Sequence, residues 1–310
     1  MPSGTYPMPP LRFIGAMLSD VGRVRALNED SVLYIPPQDN HSNENRRGLA
    51  LVADGMGGHA AGEVASGMAA DIISRLYFDL DGSVPDVLAS AFMEANRAIL
   101  KWSEANPDCK GMGTTCTALA FDGAGTWLAH IGDSRAYLLR GSELKQLSED
   151  QTLVAQMVKR GELSEEEAKN SPLSSVILQA LGTKPDIVPV IWKKAMPLLE
   201  GDILLLCSDG LSNMVPTELI TDLAGRLPPH EACQALINAA LAAGGHDNIS
   251  LGIFLVVAKP KQMSNGMDNS TRRIKIGSVA AGDTEGQDAI GGSPVTTRRI
   301  VVNGVPKKNG

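Results

Sequence analysis

Apolar positions along this chain follow two different spacings. Short apolar runs at residues 14–18, 32–35, 49–53, 115–121, 127–131, 136–139, 203–207 and 249–257, many bounded by Gly or Asp, predict strands. Longer patterns separate some of them. Residues 61–78 place Val64, Met68, Ile72, Ile73 and Leu76 on one stripe, and residues 86–104 do the same with Leu88, Ala91, Phe92, Ala95, Ile99 and Trp102. Steps of three and four residues predict helices with one apolar face. The two helices run consecutively and strands then follow in a block. This order differs from the strict strand-helix-strand alternation of a doubly wound sheet and predicts an α+β fold of mainly antiparallel sheets with helices layered outside.

Composition divides the chain in two. Its 310 residues are 43% hydrophobic and 20% charged, enough for a sizeable core. The net charge of −7, from 28 basic and 35 acidic residues, hides an asymmetry. Residues 259–310 hold nine basic and four acidic residues, a net +5, which leaves 19 basic and 31 acidic residues, a net −12, on residues 1–258. The tail is rich in Gly, Ser, Thr and Asn and has too little apolar surface to offset chain entropy, so it reads as a disordered basic appendage. Within it TRRIKIG at 271–277 echoes TRRIVVNG at 297–304, either by chance in a basic segment or as short docking or phosphoacceptor segments. An acidic body argues against a nucleic-acid-coating protein. No apolar run approaches the roughly 20 residues a membrane span needs. The start of the chain, MPSGTYPMPPLR, lacks the apolar stretch of a secretory leader. Cys109, Cys116, Cys207 and Cys233 form no CxxC pair, which suits a reducing cytoplasm.

The carboxylates carry the chemistry. Asp54, Asp133 and Asp209 fall at predicted strand ends, Asp247 at the mouth of a strand, and Glu29 and Asp30 just ahead of another. Any one of these would pass as a turn residue, because Asp and Gly are what turns prefer. Several brought to one edge are another matter. Two carboxylates about 4 Å apart repel by roughly 4 kcal/mol at an effective dielectric of about 20, so such a cluster calls for a cation. Oxygen ligands alone, with no paired His or Cys, favour Mg²⁺ or Mn²⁺ over zinc.

Six segments carry a family resemblance: SDVGRVRALNEDS (19–31), LVADGMGGHAAGEVAS (51–66), GMGTTCTAL (111–119), HIGDSRAYLLR (130–140), LLLCSDGLSN (204–213) and GGHDNISL (244–251). In order and in content they resemble the signature motifs of the bacterial branch of the metal-dependent protein phosphatase 2C family. The resemblance covers residues 12–258 as a catalytic domain, with a flap at 148–190, and leaves 259–310 as the tail. It implies a four-layer αββα sandwich and a binuclear centre of two Mn²⁺ or Mg²⁺ ions. Asp54 would bridge both ions, the carbonyl of Gly55 would complete one, and Asp209 with Asp247 would hold the other. Asp133, with Asp209, matches a third, weaker ion site. Glu29 and Asp30 match an acidic pair acting through water, and Arg25 matches the arginine that clamps the substrate phosphate. The implied activity is hydrolysis of phosphoserine and phosphothreonine in proteins, opposing a serine/threonine kinase.

That chemistry agrees with what the residues offer unaided. Two divalent ions lower the pKa of a shared water and shield phosphate charge, and a guanidinium grips two phosphate oxygens in a planar fork. No protein nucleophile is needed, and none of the cysteines has an arginine six residues later, so the cysteine-phosphatase loop is absent. Two positions depart from the pattern: Met56 follows the Asp-Gly pair where eukaryotic relatives place a histidine, leaving His59 as a loop or helix-start residue, and His246 stands where proline often precedes the last aspartate. In the flap, Ser164 to Glu167 reads as a capping pattern opening the second of two short helices, and Ser174 or Ser175 is either a third-site contributor or a turn residue.

Three other readings compete. YFDLDGS at 77–83 resembles the haloacid dehalogenase signature with Asp79 as nucleophile, but Asp79 ends a helical pattern rather than a strand. GMGGHA at 55–60 matches a dinucleotide loop, yet Asp54 would repel a pyrophosphate and a second helix, not a strand, comes next. A catalytically dead scaffold on the same fold would have no reason to keep every expected acid and Arg25.

Overall fold

The computed structural model describes residues 11–37, 47–57, 61–122 and 125–258. Strands β1 (Leu11–Asp20), β2 (Asp30–Ile35) and β3 (Gly48–Met56) are followed by helices α1 (Ala61–Asp79) and α2 (Val84–Ala105). Strands β4 (Gly113–Thr114), β5 (Cys116–Asp122), β6 (Gly125–Ile131), β7 (Arg135–Arg140) and β8 (Glu143–Gln146) come next. Helices α3 (Leu153–Lys159) and α4 (Glu165–Lys169) precede β9 (Val190–Ile191) and β10 (Ile203–Cys207). The chain closes with α5 (Asp209–Ser212), α6 (Thr217–Arg226), α7 (Pro229–Ala242) and β11 (Ile249–Ala258).

The strands form two antiparallel sheets, one ordered β1-β11-β10-β7-β8 and the other β2-β3-β5-β6-β9, with β4 paired to β3. Alternate side chains on each strand go to opposite faces, and here both faces are covered. On β3, Leu49, Leu51 and Ala53 pack with Ile73, Phe92 and Ile99 of α1 and α2, whereas Ala50 and Val52 join Leu119, Leu204, Leu206 and Phe254 between the sheets. On β10, Leu205 and Cys207 face Leu236 and Ile237 of α7. Two-sided burial is why these strands read as unbroken apolar runs instead of alternating ones. The layers are helix, sheet, sheet, helix, as the resemblance implied.

Helix α2 begins at Ser83, whose hydroxyl accepts the Asp86 N–H, with Pro85 in the first turn. Ser164 and Glu167 close the expected capping box on α4. Six elements were not foreseen: the two- to four-residue strands β4, β8 and β9, and the helices α5, α6 and α7 that occupy 209–242, of which α7 is Ala-rich and gives little periodic contrast. The tail and its TRRI echoes, the N-terminal residues 1–10 and His59 lie outside the described residues. Among the described residues no helix is long and apolar enough to cross a membrane.

Candidate active site

The acidic residues gather where β2, β3, β10 and β11 present one end of the two sheets. Asp30 and Asp54 are directly paired across β2 and β3. Asp30 is buried and its Oδ2 accepts the Ser208 hydroxyl at 2.8 Å, which brings in the segment leading to Asp209. Asp209 opens α5 rather than simply ending β10, its Oδ2 accepts the Asn213 side-chain amide at 3.1 Å, and its charge repels that of Asp54. Asp133, after β6, is buried and is repelled by Asp209. Asp247, two residues ahead of β11, is half-buried and forms an ion pair with Arg25, Nη2 to Oδ2 at 2.8 Å. Arg25 also lies 3.8 Å from Glu29 Oε2, while nearly half of its side chain remains exposed. All eight residues singled out in the sequence therefore meet in one region, with Gly55 beside Asp54.

Close backbone approaches make the cluster possible. The Gly55 N–H donates to the Glu29 carbonyl at 3.2 Å, and a Cβ on Gly55 would sit 2.1 Å from the Gly62 carbonyl oxygen. Only glycine lets the first turn of α1 come this near, and a Cβ on Gly62 would in turn lie 2.5 Å from Glu29 Oε1. Polar side chains that the sequence reading passed over fix the acids in place. Thr115 Oγ1 accepts the Asp54 N–H at 3.0 Å and bonds Ser134 Oγ at 2.8 Å, while Thr114 Oγ1 donates to the Asp54 carbonyl at 2.9 Å. Ser66 Oγ donates to the Glu29 carbonyl at 2.6 Å. Each of these lies inside one of the six motifs, but an uncharged Ser or Thr beside an Asp gives no composition signal of its own.

The electrostatics are those of acids crowded without enough cations. Burial, followed by repulsion from Asp30, Asp209, Asp133 and Asp247, pushes Asp54 well above the usual carboxylate range. Burial is likewise the largest cause for Asp30 and Asp133, each raised to about 7, and it raises Glu29 and Asp209. Glu29 Oε1, Asp30 Oδ1, Asp133 Oδ1 and Asp209 Oδ1 are buried with no hydrogen-bond partner. Partnerless buried carboxylate oxygens are costly, and hard oxygen donors of this kind fit a hard divalent cation. Among the described residues no three His, Cys, Asp or Glu side chains form a ready-made cage, so water and backbone oxygen would have to share the coordination.

The segment that follows β8 is pinned to β6 and β7 near this cluster. The Arg135 guanidinium forks onto Asp150, Gln151 exchanges backbone and side-chain hydrogen bonds with Gly132, and His130 Nε2 bonds the Glu149 carbonyl at 3.0 Å. Ser174 and Ser175 are exposed, and the Ser174 N–H closes a turn on the Ser171 carbonyl. Asp79 is exposed at the end of α1, away from any strand, and α2 follows directly, so neither competing motif has its required setting.

A cluster of buried acids at one end of a two-sheet sandwich narrows the class, and comparison with known proteins identifies it. The family model of protein phosphatase 2C matches residues 14–156. The chain is 37% identical to the serine/threonine phosphatase stp of Listeria monocytogenes over 239 residues, 75% of this chain and 92% of that protein. It is 40% identical over 298 residues to the serine/threonine protein phosphatase PstP of Mycobacterium tuberculosis, which covers 94% of this chain but spans only 54% of that protein's length. The crystal structure of a PstP catalytic domain in complex with two manganese ions superimposes with a TM-score of 0.69 at 40% identity, covering 80% of this chain and 99% of that one. The chain belongs to the protein phosphatase 2C family.

Proposed function

We propose that residues 12–258 form a serine/threonine protein phosphatase that hydrolyses phosphoserine and phosphothreonine in proteins. The observation that carries this reading is the set of four partnerless, buried carboxylate oxygens around Asp54 with one guanidinium, Arg25, at their rim. Asp54, the Gly55 carbonyl, Asp209 and Asp247 would hold two Mn²⁺ or Mg²⁺ ions, Asp133 with Asp209 a third, weaker one, and Glu29 would act through water. When bound, such ions supply a nucleophilic water at neutral pH and shield the phosphoryl oxygens. Arg25 binds and orients the phosphate through its planar fork. Asp30, fixed by Ser208, holds the strand-end geometry of Asp54. The two manganese ions of the related PstP domain support the ligand type.

The setting proposed is cytoplasmic, opposing a serine/threonine kinase, with residues 259–310 acting as a docking segment for protein partners rather than for nucleic acid or membrane. The direct test is hydrolysis of p-nitrophenyl phosphate: activity with Mn²⁺ that is abolished in Asp54→Ala and Asp209→Ala supports the reading, and inactivity of the wild type with Mn²⁺ overturns it.

A further inference from the structure

The loop that carries Arg25, residues 21–29, has no regular structure, yet a phosphate clamp must hold its guanidinium in a fixed place. One side chain on another part of the chain makes three hydrogen bonds to it, more than any other. Asn248 is 4% exposed and spends its whole amide on this loop. Its Nδ2 donates to the Val21 and Leu27 carbonyls, both at 2.9 Å, and its Oδ1 accepts the Glu29 N–H at 2.8 Å. These three bonds bracket Arg25 on both sides. Two backbone contacts from the same strand-mouth segment add to them. The Arg23 N–H donates to the Gly245 carbonyl at 2.8 Å, and Gly22, at φ +78°, passes so close that a Cβ would lie 2.2 Å from the Asp247 carbonyl oxygen.

We infer that Asn248 is a positioning residue for phosphate binding, acting through Arg25 by holding the 21–29 loop in register with the strand mouth at Asp247. The inference rests on the reading of Arg25 as the phosphate clamp. Asparagine is the residue that fits. Aspartate would keep the acceptor for Glu29 but lose both donors, and a shorter side chain would lose all three bonds, freeing the loop while leaving Asp247 in the chain. An uncharged amide also adds no further negative charge to a cluster already crowded with carboxylates. The expected signature is therefore weaker phosphate binding with a preserved metal site.

The test is a double-mutant cycle on the full chain, with a phosphothreonine peptide as substrate and Mn²⁺ binding measured separately by calorimetry. Asn248→Ala is expected to raise KM by about tenfold, as loss of several hydrogen bonds at one remove implies, with kcat changed much less and Mn²⁺ affinity not weakened. Arg25→Ala is expected to raise KM at least as far, and the double variant no further than Arg25→Ala alone. Gly22→Ala pushes the loop off the Asp247 backbone and should reproduce the KM effect; it takes the place of Asn248→Ala in the cycle if that variant does not fold. Multiplying effects in the double variant would overturn the inference, as would loss of Mn²⁺ binding in Asn248→Ala with KM unchanged. A normal KM in Arg25→Ala alone would remove the clamp reading, and the inference with it, without touching the assignment of the metal acids.

Discussion

Arg25 Nη2 lies 2.8 Å from Asp247 Oδ2, so the exposed cation of the site is paired with one of the carboxylates proposed to hold a divalent ion. One oxygen cannot serve a guanidinium and a cation equally well. Binding of a divalent ion is expected to loosen this pair and leave Arg25 free for phosphate. The reciprocal effect follows: removing the competing guanidinium in Arg25→Ala should leave Mn²⁺ affinity unchanged or improve it by about two- to fivefold, since the pair is partly solvent-screened. Calorimetric titration with Mn²⁺ measures this, and a marked weakening would contradict the competition.

Asp54 pays for its position. It is raised well above the ordinary carboxylate range by burial and by four neighbouring aspartates. In metal-free protein at neutral pH, Asp54→Asn should therefore raise the thermal midpoint while eliminating activity with Mn²⁺, the usual conflict between stability and a charged site. Calorimetric melts in the presence of a chelator check the first half of this statement. A lower midpoint would show that Asp54 is stabilised by something other than a cation.

His130 is fully buried, and burial holds its pKa below the usual histidine value despite the nearby Asp150 and Glu149. A histidine whose folded pKa is depressed stabilises the fold above its unfolded pKa of about 6.5, and that contribution is lost as pH falls through the folded value. His130→Gln should thus cost stability at pH 7.5 and cost less at pH 5.5. Urea midpoints of both proteins at the two pH values give the answer; an equal cost at both would mean that His130 keeps the same charge on unfolding.

The basic segment 259–310 should be dispensable for small substrates. Truncation after Ala258 is expected to leave turnover of p-nitrophenyl phosphate within about twofold, because the sandwich closes with β11 and its layers are complete without the tail. Rates on a phosphoprotein should change. Equal rates for both kinds of substrate before and after truncation would remove the docking role.

Much of this was legible in the chain. Each predicted strand lies within or overlaps an observed one, and the consecutive helices α1 and α2 fall within two residues of their expected bounds, because two-faced burial writes long apolar runs and one-faced burial writes a stripe. The acids were visible because several of them recur at strand ends along one chain, although any one alone would pass as a turn residue. Helix α7 was not, because Ala232, Cys233 and Ala240 bury small side chains that give weak contrast against solvent-facing positions, and α6 was missed because its ten residues bury only Ile220 and Ala224, too short a stripe to stand out. Thr115, Ser208 and Asn248 were also overlooked as anchors, since their contribution lies in partners 60 to more than 200 residues away and no local pattern encodes those partners.

The central claim is that this chain removes phosphate from phosphothreonine with a divalent ion held by Asp54 and Asp209. Release of inorganic phosphate from a phosphothreonine peptide, followed for the full chain with Mn²⁺ and with a chelator, tests it most directly. Turnover is expected with Mn²⁺, none with the chelator, and none in folded Asp54→Ala or Asp209→Ala under either condition. Undiminished turnover in the chelator, or in either variant, would contradict it.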